Sequence, residues 1–151
     1  MTFPIALGAA ITTQILCQIF KVIFYSIRNK AFDPHYLTSA GGMPSAHSAF
    51  VSALSASVAI TEGPASNAFA ISVVFAFIVI YDAYRLRGTV EKLVHIVTQL
   101  RKDRKILGLP DEPGNALVLP QKIGHSIPEI VAGILVGFLL GGGITLLLWN
   151  Q

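Results

Sequence analysis

The stretch AFAISVVFAFIVIY, residues 68–81, decides the fold of this chain. None of its residues is charged, and only Ser72 and Tyr81 carry a polar group. The run is closed by Asp82, Arg85 and Arg87. An uncharged apolar run of this length, ending in charged groups, predicts a helix over residues 68–86 that crosses a membrane.

The composition of the whole chain agrees with a membrane protein. The sequence has 151 residues, of which 53% are hydrophobic and 13% are charged, and its mean hydropathy is +0.65. Soluble proteins average about 25% charged residues. We therefore expect one membrane-embedded domain over residues 1–151. The single cysteine, Cys17, has no partner for a disulfide and leaves the redox compartment undetermined.

Three further apolar segments, residues 3–28, 45–61 and 126–149, predict membrane helices. MTFPIALGAA, at the N-terminus, carries no positive charge, which favours a retained first helix over a cleaved signal peptide. Residues 88–105 differ, because an apolar stripe runs along an otherwise charged segment, which predicts an interfacial amphipathic helix. That stripe consists of Val90, Leu93, Val94, Val97 and Leu100. The expected fold is all-α: a membrane helical bundle of about four transmembrane helices plus one interfacial amphipathic helix.

Two of the predicted helices carry small residues at helical spacing. The helix over residues 45–61 has Ser45, Ser48, Ser52 and Ser55 on one face. The helix over residues 126–149 has Gly133, Gly137 and Gly141 on one face. Small residues let helix backbones approach closely inside a membrane, so both faces are expected to pack against neighbouring helices.

The first helix carries a polar stripe, since Gln14, Gln18, Lys21, Tyr25 and Arg28 recur at spacings of three or four. Polar groups inside a membrane segment favour a functional site, with Gln18 supporting Lys21. Alternatively, Lys21 extends its ammonium group to the interface from a helix end.

Positive charges fall on one side of the predicted bundle. All eleven Lys and Arg residues lie on the side that holds the loop after the first helix, the amphipathic helix and the start of the last helix. The side that holds both termini and the turn TEGPASN (residues 61–67) has none. Positive charge favours the cytoplasmic side, so we expect both termini outside and the basic face in the cytoplasm.

GGMPSAHSAF, residues 41–50, places a turn and a histidine at the start of the second helix. The amide groups of a first helical turn have no partner within the helix and attract anions. This stretch therefore predicts an anion site, and the charge pattern assigns it to the cytoplasmic face.

Four motifs together resemble the divergent branch of the type 2 phosphatidic acid phosphatase superfamily, which also contains bacterial acid phosphatases and vanadium haloperoxidases. The motifs are QIFK (18–21), GGMPSAHSA (41–49), YDAYRLRG (81–88) and GHSIPEIVAG (124–133). The similarity extends from about residue 14 to residue 140, with the motifs in the family's order.

The resemblance implies catalytic roles for three residues. His47 corresponds to the histidine that protonates the leaving group as a general acid. His125 corresponds to the nucleophile that forms a phosphohistidine, and Glu129 to the carboxylate that orients its ring. Ser45 and the backbone of Ala46 are implied to bind phosphate. Residues 126–129 also read as a capping box, in which Glu129 reaches back to the helix start.

The cations of the site depart from the family pattern. Lys21 matches the family's lysine, but Arg28 is not followed by the expected proline, and Leu119 stands where the last motif normally has an arginine. Arg87 and Arg85 are the nearest replacements, and Lys122 is a third. Asp82 is expected to support this region, or to form a structural ion pair with one of these arginines.

The resemblance implies a phosphatase that hydrolyses a lipid phosphomonoester, such as phosphatidic acid, phosphatidylglycerol phosphate or an isoprenoid phosphate. The histidines and fixed cations would act without a metal or other cofactor. Because four spans are fewer than the six common in membrane relatives, we expect a homodimer, and no feature indicates nucleic-acid binding. The alternatives are a non-catalytic protein that binds anionic lipid, a small transporter subunit, and a vanadate-dependent peroxidase.

Overall fold

A computed structural model of the protein describes residues 4–30, 32, 41–108 and 123–149, which form helices joined by turns. The helices are α1 (Ile5–Asn29), α2 (Ala46–Thr61), α3 (Asn67–Tyr81), α4 (Arg87–Ile106) and α5 (Ile127–Trp149). A π-helical turn, Asp82–Leu86, joins α3 to α4. No strand occurs within these described ranges, and the prediction of an all-α fold is confirmed.

The helices have the length and surface of a membrane bundle. Three helical segments, Ile5–Asn29, Asn67–Asp103 and Ile127–Trp149, are long and apolar enough to cross a bilayer, and α2 is a shorter apolar helix. Their outer faces are apolar, since Ile71, Phe77 and Leu139 are each at least 70% exposed. Apolar surface of this extent requires lipid or protein around it.

The predicted amphipathic helix is helical, but it is not separate from the preceding one. The apolar helix α3 continues through the π-helical turn into the charged helix α4. At 1.5 Å per residue, the combined helix is roughly 60 Å long, about twice the hydrocarbon thickness of a bilayer. Its charged part therefore extends past the apolar run that crosses the membrane.

Helix α2 lies at the centre of the bundle, where it contacts α1, α3 and α5. Its closest packing is with α5, along the serine and glycine faces expected from the sequence. A Cβ atom added to any of three α5 glycines would collide with α2: Gly133 with the Ser45 carbonyl oxygen, Gly137 with that of Ala49, and Gly141 with the Ala53 Cβ. Glycine is thus required for the two backbones to lie this close together.

A polar contact fixes the same pair of helices deeper in the bundle. Thr145 on α5 donates a hydrogen bond to the Ser57 hydroxyl on α2 at 2.6 Å, and Ser57 donates to the Gly141 carbonyl at 3.3 Å. Ser57 and Thr145 are fully buried. The starts of α2 and α5 consequently come together at one end of the bundle.

Candidate active site

The start of α2 is tied directly to the start of α5 through Ser45. Ser45 is the N-cap of α2, and its hydroxyl accepts hydrogen bonds from the Ser48 amide (3.3 Å) and the Ser48 hydroxyl (3.0 Å). Its own amide donates to the Glu129 carbonyl oxygen at 2.9 Å. The first intrahelical bond to the Ser45 carbonyl comes from Ala49. The amides of Ala46 and His47 therefore lie ahead of the hydrogen-bonded turns, where an anion would meet them.

The Glu129 side chain contacts both the His125 ring and the backbone at the start of α5. Its Oε2 lies 3.0 Å from Nδ1 of His125 and accepts a hydrogen bond from the Ser126 amide at 3.2 Å. His125 is 5% exposed and Glu129 is 7% exposed. The capping contact and the histidine contact, which the sequence left as alternatives, are thus made by the same oxygen atom.

The rings of the two candidate catalytic histidines come together at this end of the bundle. The ring centroids of His47 and His125 are 6.3 Å apart, and the ring planes are inclined by 63°. Because Nδ1 of His125 is engaged by Glu129, a reaction of this ring with a bound group would use Nε2.

Two positively charged side chains, Lys21 and Arg87, lie near His47. Lys21 is 1% exposed, and its Nζ donates to the Gly41 carbonyl oxygen at 3.3 Å, so its ammonium group is buried against the turn before α2. The half-buried Arg87 pairs with Asp82, with Nε and Oδ2 3.0 Å apart. The charges of Lys21, Arg87 and Asp82 all act on His47. The structure therefore brings the Lys21, Arg87 and histidine candidates to one place.

The remaining residues proposed from the sequence are exposed, are half-buried, or lie outside the described residues. The side chains of Arg85 and Arg28 are exposed. Gln18 is half-buried, one turn before Lys21, and its Oε1 is buried without a hydrogen-bond partner among the described residues. Leu119 and Lys122 lie outside the described residues. Within those residues, no group of three or more His, Cys, Asp or Glu side chains converges as a metal site would require.

Two contacts at the site were not foreseen from the sequence. The Tyr25 hydroxyl accepts a hydrogen bond from the Met43 amide at 3.3 Å, and its ring packs against Gly42 in the turn before α2. Glu91 on α4 accepts hydrogen bonds from the amides of residues 123 and 124. Tyr25 could have been found, since it follows Lys21 by one turn in the polar stripe. Glu91 could not, because its partners are peptide groups distant in sequence.

An apolar groove of about 540 Å³ leads to this end of the bundle. It lies between α1 and α5, and it reaches the turn before Ser45. Its walls are Leu16, Cys17, Phe20, Phe24, Met43, Pro44, Ala132, Val136 and Leu140. The groove is therefore an apolar cleft that includes the turn immediately before Ser45, the N-cap of α2.

The fold and these contacts define a helical membrane protein related to the type 2 phosphatidic acid phosphatases. The chain belongs to the Divergent PAP2 family, whose model matches residues 4–140, and the resemblance inferred from the motifs is confirmed. It is similar to the uncharacterized membrane protein YuiD of Bacillus subtilis (strain 168), with 34% identity over 145 residues that cover 91% of this chain and 90% of YuiD. No solved structure matches the chain.

Proposed function

We propose that this protein is a membrane phosphatase that hydrolyses a lipid phosphomonoester through a phosphohistidine intermediate. The observation that carries the proposal is the pair of histidines at the mouths of α2 and α5, with the ring of His125 held by Glu129. A nucleophile oriented by a carboxylate and faced by a second titratable group is an arrangement suited to covalent catalysis.

In the first step, Nε2 of His125 attacks the phosphorus atom, and the bond from phosphorus to the lipid oxygen breaks. His47 donates a proton to the departing oxygen, which leaves as the lipid alcohol. The carboxylate of Glu129 stabilises the positive ring that carries the phosphoryl group. Lys21, Arg87 and the amides of Ala46 and His47 offset the negative charge on the phosphoryl oxygens.

In the second step, water attacks the phosphohistidine. His47, now neutral, accepts a proton from that water, and the bond from phosphorus to nitrogen breaks. Inorganic phosphate leaves, and both histidines return to their starting states. The two steps together consume one water molecule and need no metal, so we expect activity in the presence of EDTA.

The apolar groove supports a lipid as the substrate. Its wall is apolar throughout and includes Pro44, directly before Ser45, the N-cap of α2. A chain in the groove would place its phosphate at the histidines. We expect Ala132→Phe, which fills the groove, to reduce turnover of long-chain lipid phosphates more than that of p-nitrophenyl phosphate.

The test is phosphate release from lipid phosphates in detergent micelles containing EDTA, comparing the parent protein with His125→Ala and His47→Ala. We expect turnover by the parent, a loss of at least about 10²-fold in each variant, and an acid-labile phosphoryl label that His125→Ala lacks. Absence of turnover by the parent, or equal turnover by the variants, would refute the proposal. Retained binding to anionic vesicles in that case would favour the non-catalytic lipid binder.

We place the site on the cytoplasmic face, from the positive charge at that end of the bundle. Ala65 lies in the turn between α2 and α3, and Lys92 is exposed on α4. In a Cys17→Ser background, Ala65→Cys should react with an impermeant maleimide on intact cells, and Lys92→Cys only after permeabilisation. The reverse pattern would place the site outside.

We also propose that a second copy covers the groove between α1 and α5, in a homodimer. Light scattering of the purified protein in detergent should then give the mass of two chains. A monomeric mass for a catalytically active sample would contradict this proposal.

A further inference from the structure

The backbone amides of residues 123–125 all donate hydrogen bonds to the helical segment that runs from the π-helical turn into α4. Glu91 Oε2 accepts a hydrogen bond from the Gly124 amide at 2.8 Å and from the Ile123 amide at 3.0 Å. The amide of His125 itself donates to the Ala83 carbonyl oxygen at 3.2 Å. The backbone that carries the candidate nucleophile is therefore held by α4 and the π-helical turn.

The π-helical turn explains why a carbonyl group is directed to His125. In a regular α-helix, the amide of Arg87 would bind the carbonyl oxygen of Ala83, four residues earlier. Here that amide binds the Asp82 carbonyl oxygen instead. The Ala83 oxygen then accepts the hydrogen bond from His125, which agrees with the frequent occurrence of π-helical turns at functional sites.

Glycines allow the two segments to lie in backbone contact. A Cβ atom on Gly124 would come within 2.9 Å of both Cα and N of Gly88. Gly88 lies one turn before Glu91 on α4, so this contact brings the carboxylate beside the amides that it binds. Hydrogen bonds to a charged acceptor, such as this carboxylate, are stronger than hydrogen bonds to a neutral one.

We propose that Glu91 is a positioning residue for His125, a role that rests on the proposed phosphatase function. Glu91 binds the backbone just before His125, whereas Glu129 binds the imidazole ring. Loss of the carboxylate frees two successive amides and lets the imidazole move from the line of attack. A displacement of about 1 Å can cost roughly 10²-fold in rate.

The kinetic test compares Glu91→Ala and Glu91→Gln with Glu62→Ala, a control at an exposed glutamate in the turn after α2. We expect Glu91→Ala to lower kcat by about 30- to 100-fold, with KM within about twofold of the parent value. Glu91→Gln keeps an oxygen acceptor and should recover most of this loss. A kcat for Glu91→Ala within threefold of the parent value, or absence of rescue by glutamine, would overturn the proposal.

A second measurement does not depend on catalysis. The protein has four histidines, so nitrogen NMR of histidine-labelled protein in detergent can resolve the His125 ring, with Glu129→Ala marking loss of its Nδ1 partner. We expect Glu91→Ala to shift or broaden the His125 signals and Glu62→Ala to leave them unchanged. Unchanged His125 signals would overturn the positioning role. A protein that hydrolyses no lipid phosphate but shows the shift would refute the phosphatase function alone.

Discussion

Nδ1 of His125 lies 3.0 Å from Oε2 of Glu129, four residues later, at the point where α5 begins. The same oxygen accepts the amide of Ser126, so the position of the carboxylate is fixed by the helix start. This links the orientation of the proposed nucleophile to the local folding of α5. A single side chain therefore has a structural effect and a chemical effect, which substitutions can separate.

Glu129→Gln should separate these two effects. The amide oxygen can still accept from Ser126, so we expect the thermal midpoint of unfolding to change little. The negative charge beside the imidazole is lost, and the positive phosphohistidine is no longer stabilised, so kcat should fall by about 10²-fold. Glu129→Ala should also lose about 1 kcal/mol of stability from the cap. A Glu129→Gln enzyme that keeps more than a third of the parent kcat would contradict the proposed role.

The α2–α5 interface predicts a difference between two glycines of the same helix. A Cβ on Gly137 would meet the Ala49 carbonyl oxygen and come within 2.8 Å of the Ser52 Cβ, whereas one on Gly143 would meet nothing within 4 Å. Gly137→Ala should therefore destabilise the protein by about 1–3 kcal/mol through overpacking. Gly143→Ala should be neutral or stabilise it by up to about 1 kcal/mol through helix propensity. Thermal unfolding in detergent measures both, and equal midpoints would contradict this packing.

Much of this fold could be predicted from the order of side chains because its helices are marked by apolar runs and small residues. The apolar run over 68–81 predicts α3, and the glycines at spacings of four predict the face that packs on α2. The motif at Ser45 and His47 and the motif at His125 each lie at a helix start. Their proximity follows once two small-residue faces are packed together.

The parts that could not be predicted depend on backbone geometry. The change from apolar α3 to charged α4 suggested two helices, but the chain stays helical, because no proline interrupts residues 67–106. The spacing of apolar residues does not indicate the π-helical turn at this point. The contacts of Glu91 and Ala83 with residues 123–125 involve peptide groups, which every residue has. No pattern of side chains in the sequence therefore indicates these contacts.

The two arginines near the π-helical turn can be distinguished by their positions. Arg87 is half-buried, pairs with Asp82 and acts electrostatically on His47, whereas Arg85 is exposed. We expect Arg87→Ala to lower kcat/KM for a lipid phosphate by at least about tenfold, since it removes a charge at the proposed phosphate site. Arg85→Ala should lower it by much less, and the exposed Lys92→Ala serves as a control. A larger loss in Arg85→Ala than in Arg87→Ala would exchange the two assignments.

Two glycines with positive φ can be compared, Gly42 in the turn before α2 and Gly63 in the turn after it. Gly42 has φ +99° and Gly63 has φ +88°, in the left-handed region that disfavours a Cβ atom. Each substitution by alanine should therefore cost about 1–2 kcal/mol from backbone strain.

A Cβ on Gly42 would also come within 3.2 Å of the ring and hydroxyl of Tyr25, whereas one on Gly63 would meet nothing within 4 Å. Because Tyr25 binds the Met43 amide, two residues before Ser45 in the proposed active site, Gly42→Ala should also lower kcat. Gly63→Ala should lower only the thermal midpoint. Equal kinetic constants for the two variants would show that Tyr25 does not position the start of α2.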